Sequence, residues 1–251
     1  MAVNDRDEIA VTDVYNHRVQ VFKSDGTYLR SFGRKGEKPG EFSFPLGITF
    51  DKNGNIIVVD DHRVQLFNEQ GEYLSHFGER GTLDHQLNYP HGVSLDKDGN
   101  IIVGDKDNHL VKIFSPSGKF LRKIGGHGIL SRPLHCVQYN KCLIVSDIFD
   151  DCIKVFDCDG NFLYTFGKEG KGDGDFKTPR SLSLTKAGQL VVCDRKNHRI
   201  QIFELNGKFL GKFGTKGSEI GQFNGPSSSA FLSDGRIVVT DIDNNRVQIL
   251  E

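Results

Sequence analysis

The chain of 251 residues lacks the features that would direct it to a membrane or to a polyanion. No apolar run approaches the ~18 residues that a membrane-spanning helix needs. The first residues, MAVNDRDEIAV, lack the basic-then-apolar order of a secretory signal peptide, so we predict a cytoplasmic location. The formal net charge is −1, which excludes a global basic field that would attract nucleic acid or anionic lipid.

Cysteine is scarce, and its spacing argues against a zinc site. The five cysteines are Cys136, Cys142, Cys152, Cys158 and Cys193, an odd number without a CxxC pair. Tetrahedral zinc sites usually use such short spacings, so we expect no metal and no cofactor. The sequence predicts buried or partly buried free thiols in a reducing compartment.

Motifs of the common catalytic folds are also missing. The chain has no G-x-S-x-G nucleophile elbow, no P-loop and no Rossmann fingerprint. Glycine-rich pieces such as GKEGKGDG (167–174) lack the strand-to-helix context of a phosphate-binding loop. On these grounds we expect that the chain is not an enzyme.

What the sequence does contain is one internal repeat in six copies. An aspartate ends an apolar run at Asp13, Asp60, Asp105, Asp147, Asp194 and Asp241, with steps of 47, 45, 42, 47 and 47 residues. An active site is normally one constellation of residues, so six copies of one aspartate favour a structural role. We expect each aspartate to accept backbone N–H bonds within the turn that follows it.

Each copy contains four short segments with the pattern of β-strands. The first follows a proline in PLGITFD (45–51), and the second follows a glycine turn in NIIVVD (55–60). The third alternates apolar and polar residues, as in RVQVF (18–22), and the fourth resembles GTYLRSFG (26–33). Four antiparallel strands in each of six copies predict an all-β, six-bladed β-propeller that forms one domain over residues 1–251.

The repeated segments resemble the NHL repeat. Residues 16–18 and 197–199 both read Asn-His-Arg, and they precede the strands RVQVF and RIQIF, an FLxxFG strand and a GxFxxP loop. The likeness covers the whole chain and is greatest to the C-terminal NHL domain of tripartite-motif (TRIM) proteins. Two copies depart from the pattern: only Asp61 separates Asp60 from His62, and residues 150–152 read Asp-Asp-Cys in place of Asn-His-Arg.

The resemblance implies a recognition module of a larger protein. TRIM-NHL proteins carry an upstream RING-type ubiquitin ligase and a coiled coil, and their NHL propeller recognises RNA or proteins. We expect a monomeric propeller that forms oligomers only through a coiled coil outside this chain, with no DNA or membrane partner. An arginine in four copies is expected to pair with a carboxylate or carbonyl between blades: Arg18, Arg63, Arg199 and Arg246.

The sixth copy lacks its fourth strand. It ends at RVQILE, the third strand, so we predict a three-stranded sixth blade with an exposed edge. In propellers of this family an upstream segment often supplies the missing outer strand. We therefore expect the chain to be a fragment of a longer protein.

The binding residues are expected on the loops after each repeated aspartate and between the blades, because loops on a rigid scaffold usually carry recognition. These loops concentrate cations and aromatic rings, whereas Asp and Glu dominate the other turns. The predicted RNA- or partner-binding residues are Tyr15, Arg34, Lys35, Tyr89, His91, Lys106, Arg132, His135, Phe149, Arg180, Arg195 and Lys196. Phosphate pairing beside base stacking suits RNA, so we predict binding of single-stranded or stem-loop mRNA elements.

Two alternatives remain open from the sequence. The same loops could recruit protein substrates for a RING-type ubiquitin ligase. The chain could also be a metal-dependent lyase or lactonase, with His91 and His135 on predicted inner strands. Two histidines without a near carboxylate make a poor three-ligand metal site.

Overall fold

The computed structural model describes residues 1–251 and shows an all-β protein of six antiparallel sheets. Its helical pieces are four 3-10 turns of three residues each, at Val14–Asn16, Lys106–Asn108, Arg195–Asn197 and Ile242–Asn244. None of them is long and apolar enough to cross a membrane. The predicted six-bladed propeller is confirmed, with four strands in every blade except the sixth.

The chain divides into two compact units, Met1–Gly125 and Gly126–Glu251. In the first unit, blade 1 consists of β1 (Ala2–Val3), β2 (Ile9–Asp13), β3 (Arg18–Phe22) and β4 (Tyr28–Phe32). Blade 2 consists of β5 (Pro45–Phe50), β6 (Ile56–Asp60), β7 (Arg63–Phe67) and β8 (Tyr73–Phe77). Blade 3 consists of β9 (Pro90–Leu95), β10 (Ile101–Asp105), β11 (Leu110–Phe114) and β12 (Phe120–Gly125). In the second unit, blade 4 consists of β13 (Pro133–Tyr139), β14 (Cys142–Asp147), β15 (Cys152–Asp157) and β16 (Phe162–Phe166). Blade 5 consists of β17 (Pro179–Leu184), β18 (Leu190–Asp194), β19 (Arg199–Phe203) and β20 (Phe209–Phe213). Blade 6 consists of β21 (Pro226–Phe231), β22 (Ile237–Asp241) and β23 (Arg246–Leu250). The single-domain organisation stays a prediction.

Each blade is a meander in which every strand pairs with the next strand along the chain. The short connections between the first and second strands, and between the third and fourth, therefore lie at one end of the blade, here called the turn end. The segments after each repeated aspartate and the loops between blades lie at the opposite end, here called the loop end. Second strands such as β6 and β10 are buried along their whole length, because sheets cover both of their faces.

Phenylalanines from the loops between blades complete the core. Phe42, Phe176 and Phe223 are fully buried, and burial of each ring contributes about 1.5–3 kcal/mol. Phe223 covers Gly214, which has a φ of +90° and whose missing Cβ would overlap the ring. Only glycine permits both this backbone conformation and this close approach. The glycine that ends the fourth strand is therefore required by packing as well as by the turn.

The repeated aspartates bind the loop that enters their own blade. Asp60 accepts the N–H of Ser43 at 2.6 Å, and Asp194 accepts the N–H of Lys177 at 2.7 Å. The expectation that they accept backbone N–H bonds within the following turn is wrong. In blade 5 the turn after Asp194 is a 3-10 turn, and the N–H of His198 donates to the carbonyl of Arg195 at 3.2 Å. The aspartates thus fix the start of blades 2 to 6.

The arginine of the Asn-His-Arg segment joins the aspartate to the inter-blade loop. Arg199 Nε donates to Asp194 at 2.8 Å, and its Nη atoms donate to the carbonyls of Lys171, Gly172 and Asp175 at 3.0, 2.7 and 2.8 Å. Arg63 and Arg246 make the matching contacts in blades 2 and 6. The predicted pairing with a carboxylate or carbonyl is confirmed for these three arginines, and Arg18 pairs with the carboxylate of Asp13 at 2.9 Å.

Blades 3 and 4 lack this arginine, and a lysine two residues later replaces its charge. Leu110 and Cys152 stand at the arginine positions, and Lys112 and Lys154 stand where blades 2 and 5 have glutamine. The Nζ of Lys112 lies 2.9 Å from Asp105, and the side chains of both residues are fully buried. Lys154 makes the equivalent contact in blade 4 at 2.9 Å. A cation therefore accompanies the aspartate in these blades as well, although the residue that carries it has moved.

The edge of blade 6 and the cysteines agree with the sequence. Blade 6 has three strands, with β23 at its edge, as predicted. All five cysteines are free; Cys136, Cys152 and Cys193 are buried, and Cys142 and Cys158 are partly buried. Burial raises the pKa of the Cys193 thiol to about 12, so this thiol stays protonated and unreactive at neutral pH.

Candidate functional site

All twelve predicted binding residues lie at the loop ends of their blades. In the first unit they occupy the 3-10 turns of blades 1 and 3, the loop between blades 1 and 2, and the entry to β9: Tyr15, Arg34, Lys35, Tyr89, His91 and Lys106. In the second unit they occupy the entries to β13 and β17 and the segments after β14 and β18: Arg132, His135, Phe149, Arg180, Arg195 and Lys196. Their assignment as binding residues stays a prediction.

In the first unit, aromatic rings stand at the loop ends of neighbouring blades. The ring of Tyr15 is 83% exposed, and Phe44 and Tyr89 are half-exposed. Lys106 places its Nζ 5.4 Å from the centre of the Tyr89 ring, which is a cation–π distance. Arg34, in contrast, is held by Glu41 at 2.9 Å. The cation at Lys106 and the ring at Tyr89 therefore form one surface, although Lys106 also lies 3.7 Å from the carboxylate of Asp107.

The histidines of the Asn-His-Arg segments hold the entry to the next blade. His17 and His198 adopt a left-handed backbone, with φ of 54° and 57°. Their Nδ1 atoms accept the N–H of Phe44 at 3.3 Å and of Gly225 at 3.2 Å. Both donors, Phe44 and Gly225, directly precede a proline that opens a blade. In blade 4 an aspartate, Asp151, does the same for the next entry at 2.5 Å.

Sequence reasoning missed Phe44 and the role of these histidines. Phe44 precedes a blade-opening proline, at the same repeat position as Tyr89. Both have positive φ, 62° and 49°, a conformation that is rare for large aromatic residues. Their rings meet His17 and His62 edge-on, with centroids 5.1 and 4.9 Å apart. The repeat position before the proline was the signal that could have identified Phe44.

In the second unit, four cations line one depression of about 340 Å³ between blades 5 and 6. We call it the cationic depression; its lining residues are Lys171, Lys177, Arg195, Lys196, His198 and Asp243. Two backbone bonds fix the two central cations. The N–H of Lys196 donates to the carbonyl of Lys177 at 3.0 Å, and the N–H of Arg195 donates to Thr178 at 3.4 Å. The arrangement concentrates positive charge that is absent from the chain as a whole.

Arg195 makes one contact with a carboxylate and has spare donors. Its Nη2 lies 3.4 Å from Asp243 Oδ1, and its buried Nε has no hydrogen-bond partner. A guanidinium has five N–H donors in a planar fork that matches phosphate and carboxylate oxygens. Arg195 is therefore suited to bind an oxyanion.

His198 adds a neutral donor to the cationic depression. Burial lowers the pKa of its imidazole, and the nearby charge of Lys216 lowers it further, so the ring is uncharged at pH 7. Because Nδ1 accepts the N–H of Gly225, the proton of the neutral ring lies on Nε2. The depression thus combines four cations, one carboxylate and one N–H donor.

The other predicted residues of the second unit lie outside this depression. Arg180 donates from Nη1 to Ser227 Oγ at 3.0 Å, and His135 Nδ1 accepts the N–H of Leu182 at 3.4 Å. Arg132 is exposed, and the ring of Phe149 is 71% exposed. Of the predicted binding residues, Arg195 and Lys196 line the cationic depression, together with Lys171 and Lys177. The structure contains no group of three or more His, Cys, Asp or Glu side chains that could hold a metal ion.

Comparisons with known proteins identify the repeat. Residues 87–114 and 176–203 match the NHL repeat, and residues 2–76 match a family described as a 6-bladed beta-propeller. The protein brain tumor of Drosophila melanogaster is 31% identical over 61 residues, which are 24% of this chain and 6% of that protein. The matched part of this relative is thus a small fraction of its length.

Solved structures share the fold at low sequence identity. A gluconolactonase from Xanthomonas campestris has a TM-score of 0.74 and 18% identity, covering 94% of this chain and 80% of its own. Virginiamycin B lyase from Staphylococcus aureus has a TM-score of 0.69 and 13% identity, covering 98% of this chain and 81% of its own. At such identities the likeness concerns the fold alone.

These similarities contradict the expectation that the chain is not an enzyme. Propellers with this architecture include a lyase and a gluconolactonase, so the absence of familiar catalytic motifs gave no ground for excluding catalysis. The NHL resemblance, by contrast, is supported by the matches to the NHL repeat in blades 3 and 5. The chain is a six-bladed β-propeller that contains NHL repeats.

Proposed function

We propose that this propeller binds RNA, with the cationic depression as its phosphate-binding site. The observation that carries the proposal is the convergence of Lys171, Lys177, Arg195 and Lys196 around one depression in a chain of net charge −1. Lysine and arginine side chains that pair with phosphates dominate the affinity of proteins for nucleic acid. A local cluster of this kind can bind a short stretch of backbone without a global positive field.

Exposed rings would supply the second part of RNA recognition. Unpaired bases stack on aromatic side chains, and each such contact contributes about 1–3 kcal/mol. Phe149 is the most exposed ring of the second unit, which also holds the cationic depression. Single-stranded or stem-loop RNA presents both phosphates and unstacked bases. NHL propellers generally bind RNA or protein targets, and the partial likeness to brain tumor is consistent with a TRIM-NHL context, which we also propose.

A salt series with charge-matched variants tests the proposal. Binding of a labelled single-stranded RNA pool and a stem-loop pool would be measured by fluorescence anisotropy from 50 to 300 mM KCl. We expect the Arg195→Ala/Lys196→Ala variant to lose about tenfold in affinity and to lower the slope of log K against log salt by about 1.4 to 1.8, since two phosphate contacts are removed. The control variant, Lys186→Ala/Lys208→Ala, removes two charges from the turn end of the same blade and should bind as the wild type does.

Protein recruitment is the second candidate, and the exposed ring of Phe149 favours it. Large exposed rings are typical anchors of protein interfaces. Absence of RNA binding at the lowest salt, or equal loss in the two double variants, would refute RNA binding and leave this candidate. It would then be tested by whether Phe149→Ala abolishes capture of a protein substrate that the wild type retains.

A further inference from the structure

Asp243 is the one carboxylate among the residues that line the cationic depression. It lies on the 3-10 turn after β22, and its backbone N–H donates to the carbonyl of Asn224 at 3.0 Å. Its side chain lies over Gly225, where an added Cβ would approach Oδ2 to 2.7 Å. Glycine at position 225 therefore leaves the space that this carboxylate occupies. The turn and the glycine together hold Asp243 against the cations.

The carboxylate contacts Arg195, the best-placed oxyanion ligand of the depression. The Arg195 Nη2–Asp243 Oδ1 distance is 3.4 Å, which is long for a charge-assisted hydrogen bond. The side chain of Asp243 is about half exposed, so water screens the pair and weakens it. A contact with these properties is readily exchanged for a stronger one. Asp243 is the carboxylate with which Arg195 pairs, and Lys196 stands at the equivalent turn position in blade 5.

We propose that Asp243 is a built-in competitor for phosphate, which occupies Arg195 until a phosphate group displaces it. This inference rests on the proposed binding of RNA at the cationic depression. Exchange of a carboxylate for a phosphodiester replaces one monoanion by another, so the gain is small. Exchange for a terminal phosphate, which carries nearly two charges at pH 7, adds negative charge to a site with four cations. Because the displaced carboxylate stays beside the site, Asp243 lowers the affinity for any phosphate group, and it repels a terminal phosphate more strongly than an internal phosphodiester.

The test compares two RNA ligands and two isosteric variants. A 12-nucleotide unstructured RNA would be prepared with a 5′-phosphate and with a 5′-hydroxyl, and both would be titrated against the wild type, Asp243→Asn and Asp234→Asn. Asp234 lies at the turn end of blade 6, on the connection between β21 and β22, so its replacement changes net charge equally without touching the depression. Asparagine keeps the shape of either side chain.

We expect Asp243→Asn to bind both RNAs about threefold to tenfold more tightly, with the larger gain for the RNA that carries the 5′-phosphate. Asp234→Asn should stay within about twofold of the wild type. In an Arg195→Ala background the effect of Asp243→Asn should shrink, because the contact is already absent. Equal affinities of Asp243→Asn and the wild type, or equal gains in the two asparagine variants, would overturn the competitor role.

Failure of RNA binding and failure of the competitor role are distinguishable. If the wild type and Asp243→Asn both fail to bind RNA at low salt, the proposed function is refuted. Inorganic pyrophosphate, titrated while the amide resonances around Arg195 are followed, then tests the depression directly. Tighter pyrophosphate binding by Asp243→Asn would support the competitor role without RNA, and unchanged binding would refute it.

Discussion

Replacement of Lys112 by glutamine would leave the buried carboxylate of Asp105 without a cation. Lys112 Nζ lies 2.9 Å from Asp105 Oδ2, and it also donates to the carbonyls of Leu83 and Gln86. Both charged side chains are fully buried, so water cannot replace the lost charge. The substitution is sterically mild, since glutamine occupies the same position in blades 2, 5 and 6.

The size of the effect follows from the contacts that glutamine retains. Removal of one partner of a buried ion pair costs about 3–5 kcal/mol. In blade 5, Gln201 Nε2 still donates to Asp194 at 3.2 Å and to the carbonyl of Asp175 at 2.7 Å. Glutamine at position 112 would keep the equivalent bonds, so we expect the lower limit, about 3 kcal/mol. For a chain of this size that loss lowers the melting temperature by about 6–12 °C.

A second substitution should restore the stability. The variant Leu110→Arg/Lys112→Gln gives blade 3 the arginine and glutamine of blade 5. Arg199 in blade 5 reaches its aspartate and three loop carbonyls, whereas Lys112 reaches its aspartate and two. An arginine at position 110 would therefore neutralise Asp105 again. We expect the double variant to be within about 1 kcal/mol of the wild type, although the single variant is not.

Circular dichroism is a suitable assay, because the chain has no tryptophan to report unfolding by fluorescence. Thermal and urea unfolding would be compared for the wild type, the single variant, the double variant and Leu110→Arg alone. Coincident transitions at several wavelengths would establish that a single free energy of unfolding describes each variant. If the double variant is as unstable as Lys112→Gln, the charge of Lys112 does not replace that of the arginine, and the reasoning is refuted.

Three further predictions concern packing, pH and thiol reactivity. Gly214→Ala should lower the free energy of unfolding by about 2–4 kcal/mol, since it adds left-handed backbone strain and overlap with Phe223. Gly235 has a φ of +97° but lies in open space, so Gly235→Ala should cost only the strain of about 1–2 kcal/mol. Equal losses of the two variants in urea unfolding would contradict this. Burial raises the pKa of Asp60 from 3.8 to about 6, so its stabilising contribution is complete below pH 4 and is lost as the pH rises through 6, a change of about 3 kcal/mol. The stability of the wild type relative to Asp60→Asn should therefore fall between pH 4 and 7, and a flat difference would disprove the assignment. A thiol reagent at pH 8 should label the two partly buried cysteines before the three buried ones, and Cys193 should react only when the protein unfolds. Mass spectrometry would follow the labelling of each cysteine. Rapid labelling of Cys193 would exclude its burial.

The sequence determined the architecture because the repeat is local. Alternation at period two, glycine turns and the proline that opens blades 2 to 6 specify each meander without reference to distant residues. Six copies of this pattern then predict the number of blades. The incomplete sixth copy predicted the three-stranded blade for the same reason, since strand pairing within a blade follows chain order.

The site was predicted in part. Arg195 and Lys196 were identifiable because they differ from Val14 and Tyr15 at the same repeat positions. Their neighbours were not identifiable, because Lys171 and Asp243 reach the same depression from an inter-blade loop and from the next blade. Contacts across such distances in sequence depend on how blades pack, which no local pattern records.

The sequence by itself determined the repeats, the strands and the loops that can carry function. Only the tertiary structure decided which groups those loops bring together: a carboxylate with the amide of an entering loop, a buried lysine in place of an arginine, and Asp243 against Arg195. The physical reason is that backbone propensities act between near neighbours in the chain. Charges and hydrogen-bond donors act through space, and their partners are fixed only when the blades are packed.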